Sequence, residues 1–153
     1  MLRYKTKKKE NKQKKKENNQ NKNVKKTLQK AEILKQLRNT PGFLGCYKQS
    51  DLCISIQKHS CLMVYSGQHW IAITIFDKLV EIFDPGGFKI LKWKSFPCSL
   101  LHFLQKILVT REIVISKKVS ERSTLSSFYC LIYLMNRPRH TLYDITSYCL
   151  KMK

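Results

Sequence analysis

No C-x-x-C pair occurs among the six cysteines, Cys46, Cys53, Cys61, Cys98, Cys130 and Cys149, and the basic start of the chain is not followed by the apolar stretch of a secretory signal. Both absences argue against a disulfide framework and leave reduced core thiols as the expectation. Cys53, His59, Cys61 and His69 are metal-capable in type, but their spacing fits no familiar zinc knuckle, so no metal and no cofactor is expected. No apolar run approaches the roughly 20 residues of a membrane span. The chain is therefore expected to be soluble and intracellular, with no membrane partner. No internal repeat is visible either.

Acidic side chains are also scarce, 10 Asp and Glu against 30 Lys and Arg in 153 residues, a formal net charge of +20. The imbalance is concentrated at one end, because residues 1–30 hold 13 of the cations and only Glu10 and Glu17 against them. Within that end, "KTKKKENKQKKKENNQNKN" has no apolar residue to bury, and such a segment cannot repay the entropy of ordering. Residues 1–23 are thus expected to be a disordered Lys-rich tail ahead of one domain over residues 24–153. A cationic run of this kind reads as a nuclear-targeting or DNA-contacting arm acting through counterion release, and equally as a solubilising tail.

What remains has the composition of a globular domain, with 42% hydrophobic residues overall and a length that holds one modest core. Apolar residues at positions 24, 28, 31, 34 and 37 recur at helical spacing and predict a first helix from Val24 to about Leu37. Pro41-Gly42 is a turn signal, and "FLGCYKQSDL" and "CISIQ" read as loop and short extended segments. "CLMVYS" is a strand. "WIAITIF" and "LVEIFD" flank Asp77-Lys78 closely enough to form an antiparallel hairpin, which Pro85 and the two glycines after it end. "FPCSLLHFLQKILV" predicts a helix with an apolar face at Leu100, Leu101, Leu104, Ile107 and Leu108, and "EIVIS" one more strand. "SSFYCLIYLMNR" carries an apolar stripe at Phe128, Leu131, Ile132 and Met135, with Ser126 and Ser127 as its caps, and "TLYDITSYCL" follows with Thr141 as N-cap. The layout is α+β, a small, mostly antiparallel sheet packed by helices.

The hairpin sets His69 at the head of one strand and Asp84 at the end of its antiparallel neighbour. Both then lie at one edge of the sheet, where a carboxylate can fix the tautomer of an imidazole, the base-and-orienter half of a catalytic triad. A surface histidine at a strand start and a turn aspartate before proline would give the same pattern.

The surrounding residues add to this. "GQHWIAI" followed by "EIFDPGGF", with "PGFLGCYKQSDL" before them and "SFYCLIYLMNRPR" after, resembles in the same order the conserved segments of adenain-like cysteine proteases. That is the adenovirus protease group, with its relatives in Polinton-type elements, related to SUMO-processing proteases. The resemblance spans about residues 31–150. It implies an adenain-like fold, His69 as base and Asp84 as orienter, processing of virion precursor proteins, a polypeptide substrate or peptide ligand, and compatibility with DNA binding. A monomer with a nuclear or virion-associated location fits the same group.

The nucleophile segment departs from the family. Its members place a Gln seven residues before a Cys that is followed by Gly. One register makes Cys130 the nucleophile, with Ser123 at the Gln position and Leu131 at the Gly position. The other matches more residues and puts Ser126 at the nucleophile position, Val119 at the oxyanion Gln position and Ser127 at the Gly position. In that register three departures coincide. Val119 has no donor, and losing one oxyanion donor costs about 10²–10³ in rate; a serine hydroxyl ionises far less readily than a thiol. The sequence is thus read as an adenain-like protease fold, inactive or severely weakened, with an active enzyme using Cys130 as the alternative. A basic nucleic-acid-binding protein without protease ancestry is the third reading.

Overall fold

The computed structural model describes residues 28–67, 69–87, 98–120 and 122–152. The Lys-rich segment 1–23, Val24 and the three residues after it lie outside the described residues. The chain runs α1 (Lys30–Leu37), β1 (Phe43–Lys48), a 3₁₀ turn (Gln49–Asp51), β2 (Ser60–Tyr65), β3 (Trp70–Ile75), β4 (Leu79–Phe83), α2 (Cys98–Leu108), β5 (Glu112–Ile115), a second 3₁₀ turn (Ser123–Leu125), α3 (Ser126–Asn136) and α4 (Leu142–Lys151). This is an α+β fold. Among the described residues no helix is long and apolar enough to cross a membrane.

The five strands form one sheet in sequence order, β1-β2-β3-β4-β5. The expectation of a mostly antiparallel sheet is corrected at its edges: β2–β3 and β3–β4 are antiparallel, but β1–β2 and β4–β5 are parallel. A two-residue turn returns the chain antiparallel, whereas a parallel neighbour needs a longer crossover. The turn at Asp77-Lys78 is of the first kind, closed by Phe76 N–H donating to the Leu79 carbonyl at 2.7 Å. The segment between β1 and β2, read as extended around "CISIQ", is instead an irregular crossover, and the one between β4 and β5 contains α2.

Alternation along the strands assigns side chains to two cores. Cys61 and Met63 of β2, Trp70 and Ala72 of β3 and Phe83 of β4 face α1, α3 and α4. Leu62, Val64, Ile71, Ile73, Ile75, Val80 and Ile82 face α2. Both faces of the central strands are therefore covered, which is why they read as continuous apolar runs in place of an alternating pattern.

Two helices use faces other than those the spacing suggested. α1 buries Ile33 and Leu37, one turn apart, and leaves Ala31 and Leu34 outside. α3 buries Ser126, Ser127, Tyr129, Cys130, Leu131, Tyr133 and Leu134, so that of the predicted stripe Leu131 is buried and Ile132 packs partly buried against the core, while Phe128 and Met135 are exposed. The reason is polar. Tyr133 stacks on Phe83 with ring centroids 4.7 Å apart, and its hydroxyl donates to Glu81 Oε2 at 2.8 Å and lies 3.0 Å from Thr74 Oγ1. Arg137 then closes a bidentate pair on buried Glu81, Nε to Oε2 at 2.5 Å and Nη2 to Oε1 at 2.7 Å. A buried carboxylate needs such partners, and they fix the rotation of α3 on the sheet. Thr141 caps α4 as expected: its hydroxyl accepts from Asp144 N–H at 3.1 Å and the Asp144 carboxylate accepts from Thr141 N–H at 3.2 Å, a reciprocal capping box.

Candidate active site

At the edge where β3 begins and β4 ends, the register Ala72↔Phe83 brings the residues just outside the ladder together. His69 Nε2 lies 3.0 Å from Asp84 Oδ1. The carboxylate is almost wholly buried, with 1% of its side chain exposed, whereas the imidazole is 20% exposed and can be reached from solvent. Asp84 Oδ1 also accepts the Gly86 N–H at 2.8 Å. Gly86 is there for space, since a Cβ at this position would stand 3.2 Å from Asp84 Oδ1 and 3.5 Å from His69 Nε2.

The main chain around Asp84 is fastened from the segment after β5. Asp84 N–H donates to Ser116 Oγ at 3.0 Å, and the Pro85 carbonyl accepts from both Val119 N–H at 2.9 Å and Ser120 N–H at 2.8 Å. Val119, at the predicted oxyanion position, is thus a main-chain anchor for the Asp84–Pro85 turn, with its side chain fully buried in the core beneath. On the other side of the imidazole, Ser66 Oγ lies 3.4 Å from His69 Nδ1 and donates to the His69 carbonyl at 2.9 Å. Both ring nitrogens therefore face polar groups of the protein itself.

The two candidate nucleophiles have a different engagement. Ser126, the first residue of α3, is 1% exposed; its hydroxyl donates to the Ser123 carbonyl at 2.6 Å and accepts the Trp70 N–H at 2.9 Å. Cys130, one turn on, is fully buried and its thiol donates to the Trp70 carbonyl at 3.4 Å. Two side chains of α3 thus hold the N–H and the C=O of the same β3 residue, which pairs with Tyr65 of β2 but lies beyond the last β3–β4 pair, so that its β4 side has no strand to bond it. Burial pushes the Cys130 thiol well above its ordinary value, and the nearby Asp84 charge pushes it further. Among the described residues no hydrogen bond joins His69 to Ser126 or Cys130.

Ser126 and Ser127 were expected to cap the helix. The N-cap is instead Leu125, without a side-chain bond, because the 3₁₀ turn Ser123–Leu125 runs directly into α3 and its Ser123 carbonyl takes the Ser126 N–H. One N–H at the helix start is thus already satisfied within the chain. Ser127 Oγ accepts the Leu28 N–H at 3.2 Å, tying the segment before α1 to α3. The metal-capable quartet is not assembled: Cys61 is buried, Cys53 and His59 are exposed, and among the described residues no group of three or more His, Cys, Asp or Glu is placed to hold a metal ion. Sequence reasoning missed Ser66, Ser116 and the spatial role of Gly86. A serine three residues before a histidine, and a glycine two residues after an aspartate, were the signals available.

Compared with known proteins, the chain matches no protein-family model and no curated protein.

Proposed function

We propose that the chain is an adenain-like protease homologue that keeps the His69–Asp84 half of the site, has lost peptide cleavage, and holds polypeptide segments without hydrolysing them. The lineage rests on the ordered sequence segments around His69, Asp84 and Ser126. The observation that carries the loss of cleavage is the double engagement of Trp70. A general base must reach the proton it removes; the single proton of Ser126 goes to the Ser123 carbonyl, and its lone pair to the Trp70 N–H. Using Cys130 instead would require a thiolate in a fully buried position where burial already disfavours it. Val119 adds no side-chain donor for an oxyanion. With both ring nitrogens of His69 facing Asp84 and Ser66, the pair works as a fastening for the end of the sheet and offers a partly exposed imidazole to a ligand.

The test is direct. Purified full chain is incubated with a peptide library and, separately, with a thiol-directed peptidyl vinyl sulfone. The expected result is no cleavage and no adduct on Cys130. An adduct on Cys130, together with cleavage that disappears in Cys130→Ala and survives in Ser126→Ala, overturns the proposal and makes the chain a working cysteine protease. A second reading, contact with DNA, is favoured by the net charge of +20; it is compatible with the first and shows itself as an affinity that falls steeply with salt.

A further inference from the structure

On the sheet face opposite α3, the first 3₁₀ turn packs against α2. Between α2 and the crossover that leaves this turn for β2 lies an open cavity of about 600 Å³, within the usual size of a small-molecule site, about 300–1,000 Å³. Its lining is of two kinds. Leu52 and Phe103 are buried and Ile54 half-buried, an apolar floor, while Cys53, His102 and Lys106 are exposed and form the rim. Charge decides what fits. No Asp or Glu lines the cavity, and α2 itself, CSLLHFLQKIL, contains none. Asp51, the acid nearest in sequence, lies outside the lining, and its carboxylate accepts the Ser50 hydroxyl at 2.7 Å. Among the described residues Lys106 makes no ion pair and His102 no hydrogen bond. The two stand at i and i+4 on α2, neighbours on one helix face. A cation and an imidazole N–H donor thus share the rim of an apolar cavity without an acidic partner.

We propose that this cavity binds a small aliphatic carboxylate, its head on Lys106 and His102 and its tail on Leu52, Ile54 and Phe103. Each half of the lining excludes a class of ligand. An uncharged aliphatic molecule leaves Lys106 without a counter-charge, and an aliphatic cation meets it as a like charge. A small anion such as acetate has no chain to lay on the floor and gains nothing from apolar burial. Cys53 is a free, exposed thiol on the same rim, so an occupant of the cavity covers it and its reactivity reports binding. The cavity is lined by neither His69 nor Asp84, and the proposal stands whether or not the chain cleaves peptides.

The experiment labels the full chain with iodoacetamide and follows the rate at Cys53 by mass spectrometry of its peptide, in the presence of octanoate, 1-octanol, octylammonium or acetate at matched millimolar concentrations. Octanoate should slow the labelling saturably, and the other three should not. Lys106→Gln, at an exposed helix position and checked for unchanged circular dichroism, should weaken the protection by about fivefold, the upper range for an exposed ion pair. Lys151→Gln, an exposed cation on α4, should leave it unchanged. Octanol protecting as well as octanoate would reduce the cavity to an apolar crevice, and acetate doing so would reduce the effect to screening of a chain of net charge +20; either result overturns the proposal. So does absence of protection by octanoate, or an equal loss in both lysine variants. Labelling that slows with protein concentration alone would show a second copy as the occupant and overturn it too.

Discussion

Ser126→Ala separates a structural hydroxyl from a chemical one. In the native chain the Ser126 oxygen accepts the Trp70 N–H at 2.9 Å in a site 1% exposed. Alanine leaves that N–H buried without its partner, at a cost of about 1–3 kcal/mol. The Ser123 carbonyl loses the hydroxyl donor at 2.6 Å but keeps the Ser126 N–H, so this second loss is nearer about 1 kcal/mol. Alanine's better helix propensity returns about 0.5 kcal/mol. The net expectation is a destabilisation of about 1.5–3.5 kcal/mol, read by urea denaturation at 25 °C, with a fall in Tm of roughly 3–14 °C for a domain of this size. Amide exchange at Trp70 should accelerate in parallel. Ser123→Ala is the control, since its carbonyl and not its side chain makes the bond, and it should change stability by no more than about 0.5 kcal/mol. A Ser126→Ala variant as stable as the native chain, with unaltered exchange at Trp70, would refute the reasoning and free the hydroxyl for chemistry.

Arg137→Leu should destabilise the chain by about 3–5 kcal/mol, because it leaves the Glu81 carboxylate buried with only the Tyr133 hydroxyl as charge-stabilising partner; a loss below about 1 kcal/mol in chemical denaturation would show that the pair does not orient α3. Burial raises the thiols of Cys46, Cys61 and Cys149 from 9.0 to about 11. In this pH interval the unfolded chain has released protons that the folded chain still holds, so stability should be complete below about pH 9 and fall as the pH rises towards about 11. Denaturation midpoints measured across that interval check the sign. In the folded state at pH 8, iodoacetamide should modify exposed Cys53 well before Cys46, Cys61, Cys130 and Cys149, all of which are buried.

Much of the fold follows from local pattern. The runs "CLMVYS", "WIAITIF", "LVEIFD" and "EIVIS" became β2, β3, β4 and β5, and the Asp77-Lys78 turn pairs β3 with β4, because β-branched composition and a two-residue connection act over a few residues. Thr141 capped α4 for the same reason: its partner Asp144 is three residues away. That hairpin also sufficed to put His69 and Asp84 at one edge of the sheet. The parallel edges of the sheet were not legible, since nothing in "CYKQSDL" states which neighbour its strand will choose.

Only the tertiary structure decided how α3 meets the sheet. Spacing offered Phe128, Leu131, Ile132 and Met135 as the buried stripe, and the helix keeps Leu131 buried but turns Phe128 and Met135 outward and presents Ser126, Cys130 and Tyr133 inward. The deciding partners are the main chain of Trp70 and the carboxylate of Glu81, between 52 and 60 residues away in sequence. A periodicity scan weighs apolar surface within one segment, but a buried N–H, carbonyl or carboxylate must be satisfied by whatever polar side chain arrives beside it. The roles of Ser126 and Cys130 were therefore set by a strand end that lacks a partner on its β4 side, in another part of the chain, which no pattern within their own helix records.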